Sequence, residues 1–297
     1  MENTIRVNKR RSNSIRLKVT SRCELHCNFC HKEGGGRIED LGWDRKLQEA
    51  ILALKQSMNI DEIHFTGGEP TESEYLGGLT HALISNGFKV KTTTNGFCEK
   101  ERLIALYSNG LRYLNFSIHT LDPVTLQRIQ KRMNIADALK IVDIQKENIL
   151  LIKKLGATVK INTVVSSIDD LESAYTVYNF AKEHGISIRL LNNLSKGIKS
   201  VNAIRILVQK LHAQKTREEV TIGSSSKTAF YTDRDHYEFG VKEIHEFKLQ
   251  TVCATCAIDC KEYFYGIRLE KRNGEFFVRL CLAKEDKKTF INLKSFF

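Results

Sequence analysis

Between residues 14 and 195 the chain alternates two hydrophobic patterns: short runs rich in apolar and β-branched residues, and longer runs in which apolar residues recur every three or four positions. The first pattern, at 15–20, 62–65, 89–94, 113–118, 159–165 and 187–191, suits buried or half-buried strands. The second includes Leu47, Ala50, Ile51, Leu54 and Met58, and later Leu171, Ala174, Val177 and Ala181, each set on one helix face. Six such repeats predict parallel strands with right-handed crossovers. The expected fold is α/β: a partial (βα)6 TIM-type barrel with its chemistry at the C-terminal strand ends. A helical stretch at 203–212 leads out of it. The remainder reads as irregular, apart from a hairpin of 265–269 and 276–280 about Asn273-Gly274. The expected domains are a barrel at 1–217 and a cysteine-rich extension at 218–297.

Composition narrows the class. With 41% hydrophobic and 27% charged residues the chain is an ordinary globular protein. No apolar run approaches a membrane span, and the N-terminus lacks the apolar core of a secretory signal, so a cytoplasmic protein without a membrane partner is expected. The net charge of +11 favours an anionic partner. No basic run interleaved with aromatics points to nucleic acid. Of eight cysteines, three gather at Cys23, Cys27 and Cys30 and four at Cys253, Cys256, Cys260 and Cys281, while Cys98 stands alone and reads as a small buried residue. In an intracellular chain such clusters read as metal sites rather than bridges.

The first cluster, Cys23-Glu-Leu-His-Cys27-Asn-Phe-Cys30, directly follows the first strand. Three thiolates this close can hold three corners of a [4Fe–4S] cube and leave one iron open to bind a cofactor. The competing zinc reading is weaker, because zinc sites usually take paired C-x2-C hooks. Thr66-Gly-Gly-Glu-Pro70 follows the second strand, where glycine permits close backbone approach and Glu69 supplies charge. Thr92-Thr-Thr-Asn-Gly96 and Asn115-Phe-Ser-Ile-His-Thr120 end the third and fourth. Their hydroxyls and amides either cap the following turns or reach a ligand.

The cysteine loop resembles the signature of the radical S-adenosylmethionine (radical SAM) enzymes. In that family the open iron chelates SAM, and the reduced cluster cleaves it to a 5′-deoxyadenosyl radical. The resemblance implies cluster ligation by Cys23, Cys27 and Cys30, an aromatic flank from Phe29, and SAM contacts from Gly67, Gly68, Glu69, Thr94, Asn95, Ser117 and Leu194. It also implies an external electron donor of flavodoxin or ferredoxin type. The segment order IRLKVTSRCELHCNFC, IHFTGGEP, TTTNGF, LNFSIHTLDPVTLQRI, VKINTVV and ISIRLL is similar to the molybdenum-cofactor cyclases (MoaA), over about 14–195 and again at 253–282. In those enzymes a C-terminal extension holds a second [4Fe–4S] cluster whose open iron binds GTP.

The second cysteine group departs from that pattern. Cys256 and Cys281 have 24 residues between them, a wider gap than the family has, and Cys260 is an extra thiol. Either Cys253, Cys256 and Cys281 ligate a cluster with an open iron, or Cys260 completes a four-thiolate cluster. Four thiolates would also suit zinc. The substrate side departs too. Arg16, Lys160 and Arg268 match basic residues that hold GTP, and Arg189 lines the same side, but an expected arginine is His64 and another is Gly266. Losing two such groups weakens a triphosphate clamp by several kcal/mol, at about 1.5–3 kcal/mol per charged hydrogen bond. The leading expectation is therefore a radical SAM enzyme acting on a small anionic substrate, such as a nucleotide. Divergent GTP cyclisation and peptide modification are the enzymatic alternatives, though only 22 residues precede Cys23, too few for a peptide-recognition domain. A metal-stabilised nucleic-acid-binding protein is the alternative from another class.

Overall fold

The computed structural model describes residues 5–295 apart from 32, 34, 35, 131, 132, 245, 259, 261 and 262. The chain opens with β1 (Arg6–Arg11), then runs through β2 (Ser14–Thr20), α1 (Arg45–Met58), β3 (Glu62–Gly67), α2 (Leu76–Ser85), β4 (Lys89–Thr94), α3 (Lys100–Ser108) and β5 (Tyr113–Ser117). It continues with α4 (Pro123–Ile129), α5 (Ile135–Lys154), β6 (Thr158–Val165), α6 (Leu171–Glu183), β7 (Ser187–Asn192) and α7 (Ile198–Lys210). Strands β2 to β7 are parallel neighbours in chain order, as the alternating pattern predicts. On β2, Ile15, Leu17 and Val19 are fully buried in the main core, while the alternate Arg16, Lys18 and Thr20 line the inside of the curl. Each such apolar side chain contributes about 1.5–3 kcal/mol. Pro123 opens α4 behind an Asp122 cap whose carboxylate accepts from the Thr125 amide at 2.9 Å.

The region after 217 is more regular than its sequence suggests. Strands β8 (Gln214–Ile222), β9 (Ser226–Thr232) and β10 (Glu238–Ile244) form an antiparallel meander, and β10 joins β7 in parallel. The boundary expected at 217/218 falls inside β8. A short α8 (Gln250–Cys253) precedes β11 (Arg268–Arg272), β12 (Glu275–Arg279) and β13 (Phe290–Asn292). The hairpin turns where expected, its first strand lying later and its second one residue earlier than the sequence suggests, and Asn273 and Gly274, at φ 50° and 73°, supply the two left-handed residues of its turn. All thirteen strands form one sheet, ordered β1-β8-β9-β10-β7-β6-β5-β4-β3-β2-β11-β12-β13. Strand β1 pairs with β8, yet only Ser12 and Asn13 separate it from β2. Three peptide steps reach about 10 Å at most, so the β1 edge must curl back beside β2. The meander thereby covers the side that a six-stranded barrel leaves open. No helix among the described residues is long and apolar enough to cross a membrane.

Candidate metal and cofactor site

Cys23, Cys27 and Cys30 sit on the loop that leaves the C-terminal end of β2, all as free thiols, with Cys30 exposed. Gln130, at the end of α4, holds that loop from the other side. Its Nε2 donates to the Cys27 sulfur at 2.9 Å, and its Oε1 accepts from the His26 amide at 2.6 Å. The Asn28 amide donates to the Ile129 carbonyl at 3.1 Å. Burial pushes the Cys23 thiol up to about 12 and raises Cys27 as well, so metal must draw off their protons. Three soft donors on one short, anchored loop fit an iron–sulfur cube. Gln130→Ala is expected to remove the partner shared by the His26 amide and the Cys27 sulfur, lowering thermal stability by about 0.5–1.5 kcal/mol and reducing iron per chain on reconstitution.

The Gly-Gly-Glu turn is laced onto the same loop. The Gly68 amide donates to the Thr20 carbonyl at 2.8 Å and the Glu69 amide to the Arg22 carbonyl at 2.7 Å. Glu69 is buried. Its carboxylate accepts from the Thr71 amide at 3.0 Å, the Thr71 hydroxyl at 2.8 Å and the Asn95 amide at 2.5 Å. Burial raises its pKa against those bonds. Thr94 is buried and its hydroxyl accepts from Gly96, whereas the neighbouring Thr93 hydroxyl meets His64 Nε2 at 2.8 Å inside the barrel. The Thr66 hydroxyl is buried without a partner at the end of β3.

Phe29 stands edge-on to His119, 4.7 Å between ring centres. His119 is pulled down to about 4 by burial, and its Nδ1 accepts from the Val164 amide, so the neutral ring carries its proton on Nε2. Ser117 is half-buried at the end of β5, and Leu194 opens the one-turn 3₁₀ helix Leu194–Lys196 after β7. Expected SAM contacts therefore gather at one mouth of the barrel.

The lumen is basic, and its β2–β11 side is internally paired. Arg16 and Arg268 face each other across β2 and β11, and Glu33 bridges them, with Arg268 Nε to its carboxylate at 2.6 Å and Arg16 on the same group. Burial opposes the Glu33 charge, yet the two guanidiniums hold it well below the usual carboxylate range. His64 is kept neutral by burial and by the nearby Arg16. Lys160 is drawn down to about 8 by burial and by Arg189, whose Nε donates to Asn162 at 3.1 Å. Glu33→Gln is expected to lower stability by about 3 kcal/mol at neutral pH, because it strands two guanidiniums. The native Glu33 pKa is depressed. Its contribution is therefore complete above the unfolded value near ~4.3 and disappears as pH falls through the native one. Acid-unfolding curves of wild type and variant should accordingly converge at low pH.

Cys253, Cys256, Cys260 and Cys281 line one cavity of about 330 Å³. The Cys260 sulfur accepts from the Tyr263 amide at 3.2 Å and the Cys281 sulfur from the Ala283 amide at 3.4 Å. The Ile258 amide lowers the Cys256 pKa. No three His, Cys, Asp or Glu among the described residues converge tightly enough to hold a single metal ion. Reading residue types alone missed Gln130, Glu33, His119 and Tyr265. His119 lay within a quoted motif, whereas the other three gave no local signal.

Comparison with known proteins agrees with this geometry. GTP 3′,8-cyclase of Campylobacter fetus is 28% identical over 256 residues, spanning 82% of this chain and 74% of the relative. The enzyme of that name from Aliarcobacter butzleri is 28% identical over 304 residues, 95% of this chain and 84% of the relative. Among solved structures, Streptococcus suis SuiB bound to S-adenosylmethionine superposes with a TM-score of 0.58 at 15% identity. That match covers 90% of this chain but spans only 60% of SuiB, and it speaks to the fold. The Radical SAM superfamily matches residues 17–181, more than half of the chain, including the first cysteine loop and the Gly-Gly-Glu turn. This chain belongs to the radical SAM superfamily.

Proposed function

We propose that Cys23, Cys27 and Cys30 hold a [4Fe–4S] cluster, that Glu69, Asn95 and Ser117 seat SAM against it, and that the enzyme acts on a small anionic substrate within the barrel. One observation carries the reading: the Gly-Gly-Glu turn is hydrogen-bonded to Thr20 and Arg22, at the root of the cysteine loop, so metal and cofactor elements form one unit. When bound, the cluster supplies one electron that cleaves SAM into methionine and a 5′-deoxyadenosyl radical, which takes a hydrogen atom from the substrate. The chain's own work is positional. Gln130 fixes the loop, Phe29 and His119 wall the mouth, and the lumen cations orient the anion. The exposed Cys30 edge gives an external flavodoxin- or ferredoxin-type donor access.

The second cysteine group fits an auxiliary cluster better than a single zinc ion. Its cavity is about 330 Å³, whereas a tetrahedral zinc site closes its thiolates around one ion at about 2.3 Å. All four thiols line it, which favours the four-thiolate reading. GTP cyclisation is the second reading, favoured by the 28% identity to GTP 3′,8-cyclase across 95% of the chain. Against it stand the neutral His64, Gly266, and the capture of Arg16 and Arg268 by Glu33. The test is 5′-deoxyadenosine formation by anaerobically reconstituted, reduced protein with SAM, with and without GTP. Cleavage unresponsive to GTP supports the leading reading. A GTP-dependent burst with a cyclic nucleotide product would install the second, and no cleavage at all would sink both.

A further inference from the structure

The lumen cations fall on two walls with different charge balance. On the β2–β3–β11 wall each has a carboxylate: Arg16 and Arg268 share Glu33, and Lys18 lies 3.8 Å from Glu270. On the neighbouring β4, Lys91 takes Glu62. On the β6–β7–β10 wall stand Lys160, Arg189 and Lys242, and no carboxylate among the described residues lies within ion-pair distance of any of them. The sheet register puts the three on one face in a stepped row: Asn162, two residues after Lys160, is opposite Arg189, and Arg189 is opposite Gly240, two residues before Lys242.

Lys242 had no signal in the sequence. It is 7% exposed, donates to the Ser226 hydroxyl at 2.6 Å, and lies 4.3 Å from the centre of the Tyr265 ring. Arg16 lies over the same ring at 5.6 Å. Tyr265 and Ser226 border a cavity of about 90 Å³ that also touches Arg16, His64 and Lys91. Burying three like charges with no carboxylate beside them is costly. The protein bears that cost in part through lowered ammonium pKa values, to about 8 for both Lys160 and Lys242, and a Tyr265 phenol brought down to about 7 chiefly by Lys242. A bound anion would remove the imbalance.

We propose that the β6–β7–β10 wall is the anion seat, that Lys242 with Lys160 and Arg189 holds a single phosphate monoester group there, with the Tyr265 phenol, protonated once the dianion takes over its pairing with Lys242, as a further donor, and that the site is not a triphosphate clamp. The inference rests on the preceding reading that the lumen receives the substrate. The unneutralised cations match one dianion. The positions that would extend a clamp across the lumen are uncharged, at His64 and Gly266, or already committed to Glu33. A triphosphate chain would have to displace that carboxylate.

The test is calorimetric titration of the reconstituted wild-type protein, and of its K242M, K242R and Y265F variants, with inorganic phosphate and with tripolyphosphate. At about 0.5 M salt, long-range attraction is screened. K242M is expected to weaken phosphate binding about 10- to 100-fold, and Y265F about 2- to 10-fold, with K242R restoring most of the loss. Tripolyphosphate should exceed phosphate by less than about tenfold. Unchanged phosphate binding in both K242M and Y265F would overturn the seat, and a preference of a hundredfold or more for tripolyphosphate would overturn the single-phosphate assignment. Wild-type SAM cleavage, measured on the same preparations, separates the two levels. If cleavage is intact while Lys242 proves irrelevant, this inference fails alone; if cleavage is absent, the catalytic reading fails and takes this inference with it.

Discussion

Cys27→Ala is expected to abolish 5′-deoxyadenosine formation and to strip the broad visible iron–sulfur absorbance contributed by the first site. Cys27 is the middle one of the three proposed ligands and is tied to the rest of the barrel through Gln130 and the backbone bridge between the two residues. With two thiols left, a cube would lose a corner, and the loop loses its side-chain tie from Cys27 to Gln130. The activity loss should exceed the 10–100-fold that follows when only an outer partner of a metal ligand is removed. Cys98→Ala supplies the comparison. That thiol lies outside both cysteine groups, packs on the main core, and is raised to about 12 by burial, so its loss should leave cluster content and cleavage near wild type. Iron quantitation with electron paramagnetic resonance of the reduced protein decides the matter. A reduced cluster signal and undiminished cleavage in Cys27→Ala would disprove the ligand assignment.

The second large effect is expected at Gly68. A Cβ built there would meet the Arg22 carbonyl oxygen at 1.9 Å and its carbon at 2.6 Å, both main-chain atoms that no rotamer change can move. Gly67 is equally closed in, with φ at 141° and a hypothetical Cβ 2.2 Å from the Thr20 carbonyl oxygen. Gly68→Ala must therefore push the turn off the cysteine loop and break one or both amide bonds to Thr20 and Arg22. A displacement near 1 Å at an element that orients a reactant costs about 100-fold. The expected phenotype is loss of SAM binding and cleavage in a protein that still takes up iron at the first site, because the thiols themselves are untouched. Equilibrium dialysis with labelled SAM reads this directly. Wild-type SAM affinity in Gly68→Ala would show that the turn does not carry the cofactor.

Much of the barrel was legible because its strands bury one face against helices and so keep apolar residues in phase. Ile15, Leu17 and Val19, or Ile63 and Phe65, report their own orientation. The meander after α7 sends no such signal. Lys215 pairs with Glu218, Arg217 with Glu219 and Glu238, and Lys227 with Glu243, so ion pairs stand where an apolar alternation would have announced strands. Strand β1 is hidden for a related reason, since five of its six residues are exposed.

The candidate site divides the same way. Cysteine spacing and the Gly-Gly-Glu turn are local and could be read directly. Gln130 reaches Cys27 from 103 positions away, and Glu33 neutralises Arg268 from 235 away. Such pairings exist only once the sheet has curled. The family resemblance marked Arg16 and Arg268 as cations for a substrate. The fold shows them already holding a carboxylate, and it reveals Lys242 on a strand whose sequence predicted nothing.

The pairing of β1 with β8 also constrains the order in which the molecule can be assembled. Arg6 lies opposite Arg217, so β1 has no partner until the chain has been synthesised past β8. Strands β2 to β7 add neighbour by neighbour and need only local closures, whereas β1 waits with its edge exposed. Its run of Arg6, Lys9, Arg10 and Arg11 keeps that waiting edge charged, which discourages pairing with other nascent chains. Docking of β1 is thus a late event in folding, the clasp fastened after the barrel has formed.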